Sequence, residues 1–265
     1  MNGIIDFHTH AFPDELADKA MKLLKGEECI KTYLDGRVSS LLMSMDTHGI
    51  EKSIVCSIAT KPAQFGPIFN WSKKIVSNRI LPFPSVHPED VNALEHIGMI
   101  REQGFKGLKF HPYYQGFRLD DERLFPLYEK IVEEKLIVVM HTGFDFTFDK
   151  IRIADPEKIL RIHKAFPGIK MVTTHLGSWD DWSEVEKHLI GKEIYMEISF
   201  SLEYLDKEVA KRLIMNHPEE YIFFGTDSPW TDQGNTLSLL RKLDLGKKRE
   251  NLILRDNAEK LLTAA

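Results

Sequence analysis

At 265 residues, with 43% hydrophobic and 28% charged side chains, the chain has material for a sizeable core and no tract whose composition reads as disordered. A formal net charge of -5 argues against nucleic acid, because proteins that bind it concentrate basic side chains on one face. No apolar run of about 18 residues occurs and the first residues lack the basic-then-apolar pattern of a signal peptide, so no membrane span is expected and the cytoplasm is the expected compartment. Cys29 and Cys56 stand alone, outside any close-spaced motif, which fits reduced thiols there.

In chain order, the first strand reads as Ile4–His8. Further short β-branched runs follow at Ser53–Ile58, Ile80–Val86, Gly107–His111, Ile137–His141, Lys170–His175, Ile194–Ser199 and Tyr221–Thr226. Helical patterns lie between them. Asp121–Glu134 carries Leu124, Leu127, Tyr128, Ile131 and Val132 in one stripe, with Pro126 in its first turns. A second helix has Asp155 as its cap, Pro156 at its first position, apolar Ile159, Ile162 and Phe166, and a Pro167-Gly168 stop. Eight strand–helix pairs in about 250 residues, with no phosphate-binding glycine loop after the first strand, predict an α/β fold: a single-domain (β/α)8 TIM barrel over residues 1–265. The connections Ala11–Ser40, Thr142–Asp155 and Ser228–Asn235 are longer than a barrel needs. All three follow the C-terminal ends of strands, where barrel enzymes keep their active sites.

Polar residues gather at those same ends: Asp6, His8 and His10 on the first strand, Lys109 and His111 on the fourth, His141 on the fifth, His175 on the sixth and Asp227 on the eighth. Strand side chains alternate, so His8 and His10 are expected on one face with Asp6 beneath them, able to reach one ion together. His-x-His is a weak signal alone; His141 and Asp227 would complete a set of four ligands with room for water. Neutral imidazole suits Zn²⁺ and several other divalent ions, and a bound water would have its pKa lowered toward ~7. For several residues two readings stay open. His175 could instead be a core histidine bonded to a carbonyl, against its place at the mouth, and Asp227 a turn residue before Ser228-Pro229, against the apolar run Tyr221–Phe224 that sets it at the rim. Lys109 could bind a substrate carboxylate, become a carbamate, or pair with an acid. Trp179, Trp230, Phe144, Phe146 and Phe148 could wall a pocket or pack the core. His48, His87, His96, His163, His188 and His217 are expected at the surface or at helix ends.

Six stretches resemble the amidohydrolase-related branch of the amidohydrolase superfamily, whose decarboxylase members include aminocarboxymuconate semialdehyde decarboxylase. They are Ile5-Asp6-Phe7-His8-Thr9-His10, Gly107-Leu108-Lys109-Phe110-His111-Pro112, Val139-Met140-His141-Thr142-Gly143, Thr174-His175-Leu176-Gly177, Phe224-Gly225-Thr226-Asp227-Ser228-Pro229 and Asn257-Ala258-Glu259-Lys260-Leu261-Leu262. The resemblance implies a distorted barrel holding a divalent metal, most often zinc, on His8, His10, His141 and Asp227. It makes His175 a catalytic histidine or a ligand of a second ion, Asp227 also the acceptor of a proton from bound water, and a homodimer plausible. Binuclear members place a glutamate or a carboxylated lysine where this chain has Lys109, so one ion is expected. The expected reaction is hydrolysis of an amide, lactone or ester in a small carboxylated substrate, with Lys109, His111, Trp179 and Trp230 as substrate contacts. The alternative is non-oxidative decarboxylation of an unsaturated or aromatic carboxylate. Further rivals are a TatD-type nuclease, whose fourth-strand glutamate is missing here, and a catalytically silent metal-binding barrel.

Overall fold

Eight parallel strands form in the computed structural model, which describes residues 3–24 and 31–265. They are β1 (Ile4–Thr9), β2 (Ile50–Cys56), β3 (Ile80–Phe83), β4 (Gly107–Phe110), β5 (Ile137–Met140), β6 (Lys170–Thr173), β7 (Tyr195–Glu197) and β8 (Ile222–Phe223). Regular ladders run through β1-β2-β3 and through β4 to β8. Prolines explain the first seam: Pro82 within β3 and Pro84 just after it have no N–H to donate, so that junction keeps the bond from Lys109 N to Pro84 O at 2.8 Å. At the second seam Phe7 N donates to Phe224 O at 2.8 Å, Asp227 N to His8 O at 2.7 Å and His10 N to Ser228 O at 2.6 Å. The result is the expected (β/α)8 TIM barrel.

Alternation sorts the core into two layers. Ile5, Phe7, Ile54, Cys56, Phe83, Ile137, Val139, Val172 and Phe223 fill the barrel, and Ala258, Leu261 and Leu262 of the helix Asn257–Thr263 join them. Ile4, Val55, Leu108, Val138, Met140, Met171 and Met196 face the helices instead. Apolar filling therefore occupies the barrel below, and the polar side chains at the C-terminal strand ends sit above it, at the mouth.

The strands stop short of their predicted C-terminal ends, at Met140, Thr173 and Phe223. Beyond two of those stops the backbone turns left-handed, with φ of 60° at His175 and 63° at Asp227. Such a conformation costs a non-glycine residue about 1–3 kcal/mol and is tolerated where it aims a side chain. The expectation for Asp6 also needs correction. Asp6 pairs with Ser53 and Thr9 with Val55, so β1 carries one residue more than β2 across this stretch. That bulge lets Phe7 and His8 both face the barrel, whereas Asp6 turns to the helix side. There its carboxylate accepts from Thr226 N, Thr226 Oγ1 and Gln233 Nε2 at 3.0, 2.7 and 2.8 Å. Burial, outweighing those bonds, pushes its pKa up to about 7.

Other expectations vary in outcome. The Asp121–Glu134 pattern forms a 3-10 turn, Glu122–Leu124, and then the helix Phe125–Glu133. Pro156–Ala165 is helical, but Asp155 bonds Lys158 Nζ at 2.5 Å rather than capping the helix with its side chain. The connection Ala11–Ser40 carries the helix Asp14–Leu24, and its residues 25–30, Cys29 among them, lie outside the described residues. Cys56 is a buried free thiol.

His87 is buried, not superficial; His217 does close a helix, Lys207–Asn216, as expected, but is buried there. His217 Nε2 donates to Ile194 O at 2.9 Å and its Nδ1 has no partner; burial pushes its pKa down from 6.5 to about 4. The unfolded chain takes up this proton below pH 6.5 and the native state only near pH 4, so the stabilisation is complete above the first value and drains away between the two. At 1.36 kcal/mol per pH unit, the contribution is about 3 kcal/mol. Urea midpoints measured from pH 7 to pH 4.5 should fall, and His217→Gln, which keeps a donor for Ile194 O, should flatten that slope.

Candidate metal centre and cavity

Backbone carbonyls fix the tautomers at the mouth, because a carbonyl only accepts. His10 Nδ1 donates to Cys56 O at 2.8 Å, His175 Nδ1 to Ser199 O at 3.1 Å and His141 Nε2 to Phe144 O at 3.1 Å. His8 Nδ1 lies 3.1 Å from Glu197 Oε1 and 3.2 Å from Ser199 Oγ. Each ring therefore turns its lone-pair nitrogen inward. His8 Nε2 faces His10 Nε2 at 3.1 Å, and His175 Nε2 faces His141 Nδ1 at 3.2 Å. Asp227 Oδ1, buried without a hydrogen-bond partner, stands 3.0 Å from His10 Nε2 and 3.4 Å from His8 Nε2. Lone pairs opposed at these distances repel unless a cation lies among them, and the donor set of imidazoles with one carboxylate suits a divalent metal.

Burial pushes the pKa of His8, His141 and His175 down, which keeps the rings neutral.

The expected ligands do not fall into one tight group. His8, His10 and Asp227 converge; His141 clusters instead with His111 and Asp145, where His111 Nε2 lies 3.4 Å from Asp145 Oδ2 and its ring stacks on His141 at 3.9 Å. His175 spans the interval, its ring centroid 5.0 Å from that of His141 and 5.8 Å from that of His8. Lys109, fully buried, brings Nζ to 3.2 Å from His8 Nε2. His8, His10, Lys109, His141, His175 and Asp227, at or just past the strand ends, form the floor of a cavity of about 360 Å³, and Asp145, His111, Trp179, Trp230, Phe144 and Phe146 line its wall. Phe148 packs against Tyr113 and Tyr114 instead.

Glu197 is the main residue that sequence reasoning missed. Fully buried at the end of β7, it accepts from His175 N at 3.1 Å, Ser199 N at 2.6 Å and Ser199 Oγ at 2.7 Å as well as facing His8. The signal was present: in Tyr195-Met196-Glu197-Ile198-Ser199 the charged residue takes an inward place between apolar outward ones. Asp145 had no such signal, lying in a connection without periodicity. Gly225 makes room for Glu197, since a Cβ there would collide with Glu197 Oε2. Gly225→Ala should therefore push the carboxylate off His8 and weaken divalent-metal binding by about tenfold, read by competition with a chelator.

The chain matches the amidohydrolase family (Amidohydro_2) over residues 5–263, and it belongs to that family. Solved structures share the fold. A 5-carboxyvanillate decarboxylase from Sphingomonas paucimobilis superposes with a TM-score of 0.73 at 14% identity, covering 99% of each chain. A Polaromonas dihydroxybenzoic acid decarboxylase with bound manganese and the inhibitor 2-nitroresorcinol gives 0.75 at 14% identity, covering 99% of this chain and 97% of that one. A protein described as an amidohydrolase II gives 0.76 at 18% identity, covering 98% and 99%. No curated protein matches the chain. Family and donor set together support a divalent metal.

Proposed function

We propose that the protein is a metal-dependent carboxy-lyase that removes CO2 non-oxidatively from an aromatic or unsaturated carboxylate. One observation carries this reading: the cavity is walled largely by aromatic and aliphatic side chains, with its charged groups gathered mainly at the floor. A planar ring fits such walls. Losing CO2 also disperses the charge of the carboxylate, a change that a dry, low-dielectric site favours.

His8, His10 and Asp227, which converge, would hold the ion, with His141 as a fourth ligand through the Nδ1 it turns toward His175; zinc suits the donor set, with manganese the competing choice. When bound, it would supply a Lewis acid toward substrate oxygens. In the reaction the carbon–carboxyl bond breaks, its electron pair stays on the ring carbon, and one proton is taken up there. Asp227, a carboxylate that is 13% exposed on the cavity side of the histidines, would first take up a proton from solvent and then pass it to that carbon, returning to the carboxylate. His175 accepts a hydrogen bond from a substrate hydroxyl at Nε2.

The relatives named above for a reaction are decarboxylases, which supports this choice over the hydrolysis expected first from sequence. Among the described residues no helix is long and apolar enough to cross a membrane, and we place the enzyme in the cytoplasm. Metal-loaded protein incubated with hydroxybenzoates should release CO2 and the decarboxylated arene in equal amounts. Acid or amine release from lactones or amides, with no CO2 from any carboxylate, would overturn the proposal.

A further inference from the structure

We infer that the substrate carries a single carboxylate and no second anionic group, an inference that rests on the carboxy-lyase reading above. Among the described residues lining the cavity, Lys109 is the one lysine and no arginine is present. Lys109 is fully buried and lies at the floor, with Nζ 3.2 Å from His8 Nε2. The two carboxylates nearest the metal ligands, Asp227 and Glu197, offset a dication, so Lys109 is left as the positive charge available to one substrate carboxylate. That carboxylate belongs at the floor.

Away from the floor the lining turns apolar, with Phe12, Leu16, Ile68, Trp71, Phe146 and Trp230. The ionised group that this wall does offer is of the wrong sign. Asp145 takes hydrogen bonds from Thr147 N at 2.9 Å and Thr147 Oγ1 at 2.7 Å, and His111 Nε2 stands 3.4 Å away, so it is a carboxylate surrounded by donors. A second carboxylate on the substrate would lose its water against the apolar wall, find no counter-charge among the described lining residues there and meet Asp145. Neutral polar substituents have partners, since Thr60, Gln64 and Tyr114 also line the cavity. A hydroxyl or methoxy group is thus acceptable where a carboxylate is not.

The test compares three acids on zinc-loaded protein by calorimetry and thermal shift: 2-hydroxybenzoate, its 5-methyl derivative and its 5-carboxy derivative. The 5-methyl acid controls for size. The first two should bind alike and the dicarboxylate at least about tenfold more weakly, because its extra charge is desolvated without a partner. Ile68→Arg, which places a cation on the wall, should narrow that gap to about threefold. Equal or tighter binding of the dicarboxylate by the unaltered protein overturns the inference, as does failure of all three acids to bind. Dicarboxylate binding with CO2 release would leave the carboxy-lyase reading standing and remove this inference alone. Selective binding of the monocarboxylates without CO2 release would do the reverse.

Discussion

Asp227→Asn should lower kcat for CO2 release by about 10³-fold while leaving the circular dichroism spectrum and Tm near those of the unaltered protein. The expected size follows from the two duties of this carboxylate, which contributes negative charge among His8 and His10 and carries the proton that replaces CO2. An amide does neither. The fold should survive because asparagine tolerates the left-handed backbone at this position, where φ is 63°, better than almost any other side chain. Metal content measured on the same sample separates the two duties. If the Asp227→Asn protein keeps its metal and loses turnover, the proton role is supported; if it turns over near normally, Asp227 is removed from the mechanism.

Much of this arrangement was legible in the sequence, for a specific reason. A barrel puts chemistry at strand ends, so polar residues closing β-branched runs declare themselves, as His8, His141 and His175 do. The barrel follows from the same runs; the family was legible only as a resemblance of short motifs, and the match over residues 5–263 shows it. What escaped was set by backbone detail that periodicity does not encode. The bulge in β1 sends Asp6 to the helix side although simple alternation places it under His8. Left-handed residues after β6 and before the turn at Pro229 re-aim His175 and Asp227 beyond the ladder. His141 was expected beside His8 and His10, but its ring stacks on His111 and its Nδ1 faces His175, because the following Phe144 carbonyl captures Nε2. The reaction was the least legible feature, since the same ligand pattern serves hydrolysis and decarboxylation and only the cavity wall bears on the choice.

Glu197 governs how His8 presents itself, and Glu197→Gln should weaken divalent-metal affinity by about 10–100-fold. The carboxylate faces four donors: His8 Nδ1, His175 N, Ser199 N and Ser199 Oγ. Although burial raises its pKa, an acceptor ringed by donors is held as the anion in which all four bonds are made. A glutamine of the same shape keeps one carbonyl oxygen but turns an N–H₂ group toward donors. It also withdraws the negative charge that makes His8 Nε2 a stronger donor to a cation. Because Glu197 lies behind His8 and not against the substrate, the loss should appear in metal titrations and be recovered by excess metal, with kcat at saturation changed far less than in Asp227→Asn. Metal affinity equal to that of the unaltered protein would show that the position of His8 is set by Ser199 and the β1 bulge alone. A kcat that stays low at saturating metal would instead place Glu197 in the reaction itself.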